Sequence, residues 1–127
     1  MSTLKVNTIQ NTSGGSSSTP AEIESGRAKA WIKFNGNTTG AIIASHGISS
    51  ISNPDTGDYT ITFSTAFANA NYVVTACVSG SSAIHRGMGL VEGSQTTTSC
   101  EINIFSTSAG GNKEDTTENG VAFFGPQ

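Results

Sequence analysis

The sequence predicts an all-β fold: a small antiparallel β-sandwich or barrel-like body behind an extended N-terminal arm. The first observation is the run Tyr59-Thr60-Ile61-Thr62-Phe63, where apolar side chains hold every second position and β-branched hydroxyl residues lie between them. Alternation of period two places one face of a strand in a core and the other in water. The second is the recurrence of turn chemistry at Asn35-Gly36-Asn37, at Asn53-Pro54-Asp55-Thr56-Gly57-Asp58 and at Gly80-Ser81-Ser82, with room for short strands between. The third is composition: charged residues make up 12% of the 127 residues, against about 25% in a typical soluble domain. Ser, Thr, Asn and Gly fill that deficit. A net charge of only −3 and the recurrent Ile, Val, Phe and Tyr separate the chain from disordered sequences.

Taken in order, residues 1–13 form an extended arm in which Leu4, Val6 and Ile9 stand among polar neighbours. An arm too short to fold alone docks on something else. Residues 14–25 begin Gly14-Gly15-Ser16-Ser17-Ser18-Thr19-Pro20, the composition of a flexible tether. One helical turn over residues 21–25 is compatible with Pro20 at a helix start. The body spans residues 26–127. Its first strand covers residues 28–35, with Ala30, Ile32 and Phe34 on one face and Trp31 on the other between Lys29 and Lys33. A second strand covers residues 40–45 and runs on toward Ile48 and Ile51. Residues 59–64 and 71–78 are expected to pair as an antiparallel hairpin. Residues 84–91 follow, then residues 99–106 with Cys100, Ile102 and Ile104 on one face. A polar loop from Ala109 to Asn119 leads to a last strand at Val121-Ala122-Phe123-Phe124.

Several function classes are disfavoured. The acidic balance and the scattered six basic residues give no concentrated surface for nucleic acid. No apolar run reaches the roughly 18 residues of a membrane span. The opening Met1-Ser2-Thr3-Leu4-Lys5 lacks the apolar stretch of a secretory signal, so synthesis in a cytosol is expected. Cys77 and Cys100 then read as two buried thiols behaving as small hydrophobes, with a disulfide disfavoured by a reducing compartment. His46 and His85 stand far apart with no His-x-His spacing, so no metal or other cofactor is expected. Hydrolase chemistry has no Gly-x-Ser-x-Gly elbow to build on, and Asp55 with Asp58 reads as turn chemistry rather than a catalytic acid pair. Gly87-Met88-Gly89 has no following Lys or helix and marks a bulge or a close backbone approach rather than a phosphate loop. The expectation is a binding or structural module, not an enzyme.

The stretch Ser2-Thr3-Leu4-Lys5-Val6-Asn7-Thr8-Ile9-Gln10-Asn11-Thr12-Ser13-Gly14-Gly15, followed by Gly26-Arg27-Ala28-Lys29-Ala30-Trp31-Ile32-Lys33-Phe34-Asn35-Gly36, resembles small virion proteins of tailed bacteriophages, especially those infecting marine cyanobacteria. Gly57-Asp58-Tyr59-Thr60-Ile61-Thr62-Phe63, with Phe67 and Asn71-Tyr72-Val73-Val74, is similar to the distal domain of phage tail-fibre proteins. The resemblance implies a homotrimer that projects from the virion and contacts the host surface, with the arm binding other virion proteins. The chain departs from many tail fibres in having no repetitive shaft. A head or neck appendage without receptor binding is the competing placement, and a carbohydrate-binding β-sandwich is a third.

Three sets of residues follow as candidates. Leu4, Val6 and Ile9 anchor the arm. Trp31, on the outward face of the first body strand, is the candidate subunit contact, because aromatic residues concentrate in interface cores and a body of about 100 residues gains from association. Asn112, Lys113, Glu114 and Asp115 concentrate mixed charge in the longest loop, and such side chains suit the hydroxyls of a host surface glycan or an outer-membrane component.

Overall fold

The structure, a computed structural model, describes residues 2–38, 40–80, 85–107 and 110–127. The expected turn at Ser81-Ser82, the strand start at Ile84 and the loop start at Ala109 lie outside the described residues. Among the described residues ten strands, one α-helix and a 3-10 turn at Gly36–Thr38 follow in order: β1 (Ile9–Gln10), β2 (Ser17–Ser18), α1 (Pro20–Gly26), β3 (Ala30–Asn35), β4 (Ala41–His46), β5 (Ile48–Asp55), β6 (Asp58–Phe63), β7 (Val73–Val78), β8 (Arg86–Leu90), β9 (Ser99–Ser106) and β10 (Asn119–Phe124). The fold is all-β. One antiparallel sheet has the order β4-β3-β10-β7 and the other β5-β6-β9-β8.

Alternation decides how the sheets meet. Ala30, Ile32 and Phe34 of β3 and Val121 and Phe123 of β10 face Tyr59, Ile61 and Phe63 of β6 and Cys100, Ile102 and Ile104 of β9 in one buried core. Phe63 is the hub at one end, with edge-on ring contacts to Phe67 at 4.9 Å, Tyr72 at 5.4 Å and Phe123 at 4.9 Å. Such edge-to-face pairs each contribute about 0.5–1.5 kcal/mol beyond their burial. Phe34 and Tyr59 close the opposite end at 4.9 Å. Asn119, fully buried, donates to the carbonyls of Thr116 at 2.8 Å and Phe34 at 3.4 Å and accepts from the Thr116 hydroxyl. A buried amide must be satisfied in this way, and doing so ties the last loop to β3.

Three readings of the sequence need correction. The strands β6 and β7 do not form a hairpin: β6 pairs with β5 and β9, whereas β7 pairs with β10. The connection between them instead crosses from one sheet to the other, and Phe67 and Tyr72 drop into the core on the way. The segment expected to be a flexible tether carries local structure. Ser17 and Ser18 pair with Gln10 and Ile9, Gly14 sits at φ 74 in the turn, and Asn11 accepts from the Gly15 amide at 2.9 Å. Helix α1 follows with a capping box, Thr19 accepting from the Glu22 amide while Glu22 accepts from Thr19. Finally, Cys100 is buried but Cys77 is exposed, because β7 turns Cys77 outward; both thiols are free. Gly47, at φ 68, takes the chain from β4 into β5 of the other sheet, and a side chain there would meet the Lys29 carbonyl at 2.7 Å. No helix is long and apolar enough to cross a membrane among the described residues.

Adjacent residues of β6 test the alternation directly. Ile61→Ala removes a fully buried side chain and is expected to cost about 2–5 kcal/mol in urea denaturation. Thr62→Ala on the opposite face is expected to stay within about 0.5 kcal/mol of wild type.

Candidate functional site

The outer faces of the two sheets are of opposite character. On β5-β6-β9-β8, cross-strand partners give one row of Ser50, Thr62 and Ser99, a second of Ser52, Thr60 and Glu101, and a third of Asp58, Asn103 and Gly89. Phe105 interrupts this polar surface. It lies over Gly87, where a side chain would come within 2.6 Å of its ring; Gly87 thus marks a close approach. On β4-β3-β10-β7 the corresponding rows are Ala44, Lys33, Gly120 and Cys77, then His46, Trp31, Ala122 and Thr75, then Phe124 and Val73. Trp31 is 40% exposed and Val73 64%. Ile42 and Ile43 of the edge strand β4 are also exposed, Ile42 opposite the core residue Phe34. Small residues at Gly120 and Ala122 leave a trough of about 620 Å³ between Trp31 and β7, with Lys33 and Glu118, 4.0 Å apart, at its rim. An apolar sheet face of this kind is a candidate interaction surface.

The structure places Trp31 on this face, but not between two exposed lysines. Lys29 is buried, and its ammonium is paired with Glu24 of α1. Leu4, Val6 and Ile9 are all exposed, at 85%, 38% and 55%, and none packs in the core. Leu4, Val6 and Ile9 are also absent from the lining of the trough.

The loop expected to be free for contact is strapped to the sandwich. Of the four candidate contact residues only Asn112 keeps an exposed side chain without a partner among the described residues, and its carbonyl accepts from the Ser106 amide at 2.9 Å. Lys113 pairs with Asp58 at 2.5 Å and Glu114 with Arg86 at 2.7 Å. One Asp115 oxygen accepts from the Tyr59 hydroxyl at 2.5 Å, the Gly57 amide at 2.8 Å and the Asn53 amide at 3.2 Å. Desolvation pushes the Asp115 carboxyl up, but the three hydrogen bonds together outweigh it and hold the group below its usual value. Burial, and then the bond to Asp115, pushes the Tyr59 phenol well above its ordinary value. Sequence reasoning took Asp115 for a surface residue. The available signal was Tyr59 itself, a core aromatic whose hydroxyl needs a partner.

Burial pushes the Tyr72 phenol up and the Cys100 thiol to about 12. These groups face the core, so their shifts report packing and mark no reactive site. His46 lies in β4 beside Trp31, and His85 precedes β8 in the other sheet. Among the described residues no group of three His, Cys, Asp or Glu side chains is placed to hold a metal. Searches of protein-family models, curated proteins and solved structures returned no match to the chain.

The Asp115 clamp predicts a pH profile. A depressed carboxyl contributes fully above the unfolded value of about 3.9 and loses its contribution as pH falls through the folded value. A raised phenol contributes fully below about 10 and loses its contribution as pH climbs toward the folded value. Asp115→Ala is expected to cost about 1–3 kcal/mol at neutral pH by leaving the Tyr59 hydroxyl unpaired. Asp115→Asn keeps an acceptor and should cost less while flattening the acid limb of stability against pH.

Proposed function

We propose that the chain is a phage virion structural protein, a tail-fibre or fibre-tip component that mediates attachment to the host cell surface and works as a homotrimer. The observation that carries this reading is the opposite character of the two outer faces. A surface of Ser, Thr, Asn and Glu suits water, while the face holding Trp31, Ala122, Gly120, Cys77 and Val73 suits cover. A second copy is the natural cover. The patch is poor in charge at its centre and carries one cation, Lys33, and one anion, Glu118, at its rim. A surface bearing both signs complements itself once rotated about a symmetry axis. Turning this face toward the axis leaves the polar face and the strapped loop pointing outward, where a host surface would be met.

The arm supplies the second half of the reading. Leu4, Val6 and Ile9 are exposed on a segment whose strand pairing is its own short hairpin, and other virion proteins are their proposed partners. The likeness of residues 2–15 and 26–36 to small phage virion proteins supports the same assignment.

Antibody labelling of intact particles tests the placement. Label on the tail or its fibres is expected; label on the head, or none on the particle, overturns the attachment role. Deleting residues 1–18 leaves the Thr19 cap of α1 in place. The truncated chain is expected to fold with wild-type stability and to be missing from purified particles. Normal incorporation would show the arm to be dispensable.

A further inference from the structure

We propose that the polar outer face carries a binding site for a single pyranose unit of a neutral glycan, built by β6, β9 and the loop strapped across them. The inference rests on the host-attachment reading above and names the ligand class and the residues. A cavity of about 220 Å³ opens on this face, lined by Asp58, Thr60, Glu101, Asn103 and Lys113. Strand register makes the site a grid: Asp58 stands opposite Asn103 and Thr60 opposite Glu101. Neighbours across the strands are about 5 Å apart and neighbours along them about 7 Å. Pro54 and Val91 add an apolar wall.

Two features point to a ligand. The side chains of Thr60, Glu101 and Asn103 have no hydrogen-bond partner among the described residues, although Thr60 and Asn103 are half-buried. The half-buried Asn103 amide thus offers two donors and an acceptor that the fold leaves unspent. Elsewhere on the body the half-buried polar side chains Asn53, Arg86, Gln95, Glu114 and Asp115 are engaged within the chain, whereas Thr62, next along β6 on the same face, is likewise unpaired among the described residues. The charge pattern then selects the chemistry. Asp58 and Glu101 oppose a free anion, and the pairing of Lys113 with Asp58 at 2.5 Å leaves Glu101 the one unpaired carboxylate of the lining, too few oxygen ligands for a cation site. A set of mixed donors and acceptors suits groups that both donate and accept, which is the property of sugar hydroxyls. Adjacent hydroxyls on one ring bridge the Glu101 carboxylate and the Asn103 amide, Lys113 donates to a third oxygen, and the C–H face of the ring rests on Val91 and Pro54. The cavity holds one ring, so affinity for a single unit is weak; a trimer presents three sites and gains by avidity.

The test is an amide-resolved NMR titration of the full chain with the methyl pyranosides of glucose, galactose and mannose, carried into the millimolar range. Saturable shifts centred on Asp58, Thr60, Glu101, Asn103 and Lys113 with at least one pyranoside are expected. The double variant Glu101→Ala, Asn103→Ala keeps both changes on the outer face, and its spectrum should remain that of the folded protein. Its affinity should fall at least about tenfold, the effect of losing roughly one net charge-assisted hydrogen bond. Absence of saturable shifts, shifts produced by calcium chloride alone, or shifts mapping to the Trp31 face would each overturn the site. Particle labelling is read independently: a chain found on the tail that binds none of the three pyranosides removes this site and leaves the attachment role standing.

Discussion

Period-two alternation is the constraint on which the rest of the molecule depends. The central strands of the two sheets each offer one face to the shared core, and the buried residues of β3, β6, β9 and β10 follow this rule without exception. A slip of one residue in any pairing would send its core set to solvent. The first body strand and the last, β3 and β10, lie side by side at the centre of one sheet, so that sheet closes only once β10 is in place. The same rule that fills the core also sorts what remains. Residues excluded from the interior become two outer faces, one polar and one apolar, and the proposed function rests on that difference.

Polar clamps hold the ends of the sandwich where alternation has no say. Asn119 and Thr116 tie the last loop to β3, and the Gly36 amide donates to the Thr116 carbonyl at 2.8 Å. A side chain at Gly36 would collide with the Tyr59 hydroxyl, so glycine is required for that approach. Asp115 then draws Tyr59, Gly57 and Asn53 to one carboxylate oxygen. Together these contacts convert a long polar loop into a strap across the start of β6. Lys113 is thereby carried over the polar face, where it borders the proposed sugar site.

The strands were the most legible part of the sequence. Residues 99–106 read as one strand, with Cys100, Ile102 and Ile104 inward, and β9 has those bounds and that orientation. The faces of β3 were equally plain from Ala30, Ile32 and Phe34. Partner choice was not legible, because alternation states which side of a strand is buried and is silent about its neighbour; hence β6 and β7 were joined as a hairpin that does not exist. Burial at strand ends also escaped. Lys29 reads as a surface lysine, yet Glu24 of a short helix reaches it. Cys77 reads as a core thiol, yet its strand partner Gly120 belongs to the outward set. The capping box of Thr19 and Glu22 was present in the sequence as a helix-start signal, and the Ser/Gly composition around it obscured it.

An apolar sheet face on a protein so rich in hydroxyls needs a cover, and the account assigns that role to copies of the same chain. Sedimentation equilibrium of the purified protein at micromolar concentration tests this most directly. The account predicts a single species of three times the 13.0 kDa chain mass, reverting toward the single-chain mass when Ala122 in the middle of the face is changed to Asp. A wild-type protein that sediments as a 13.0 kDa monomer would contradict it.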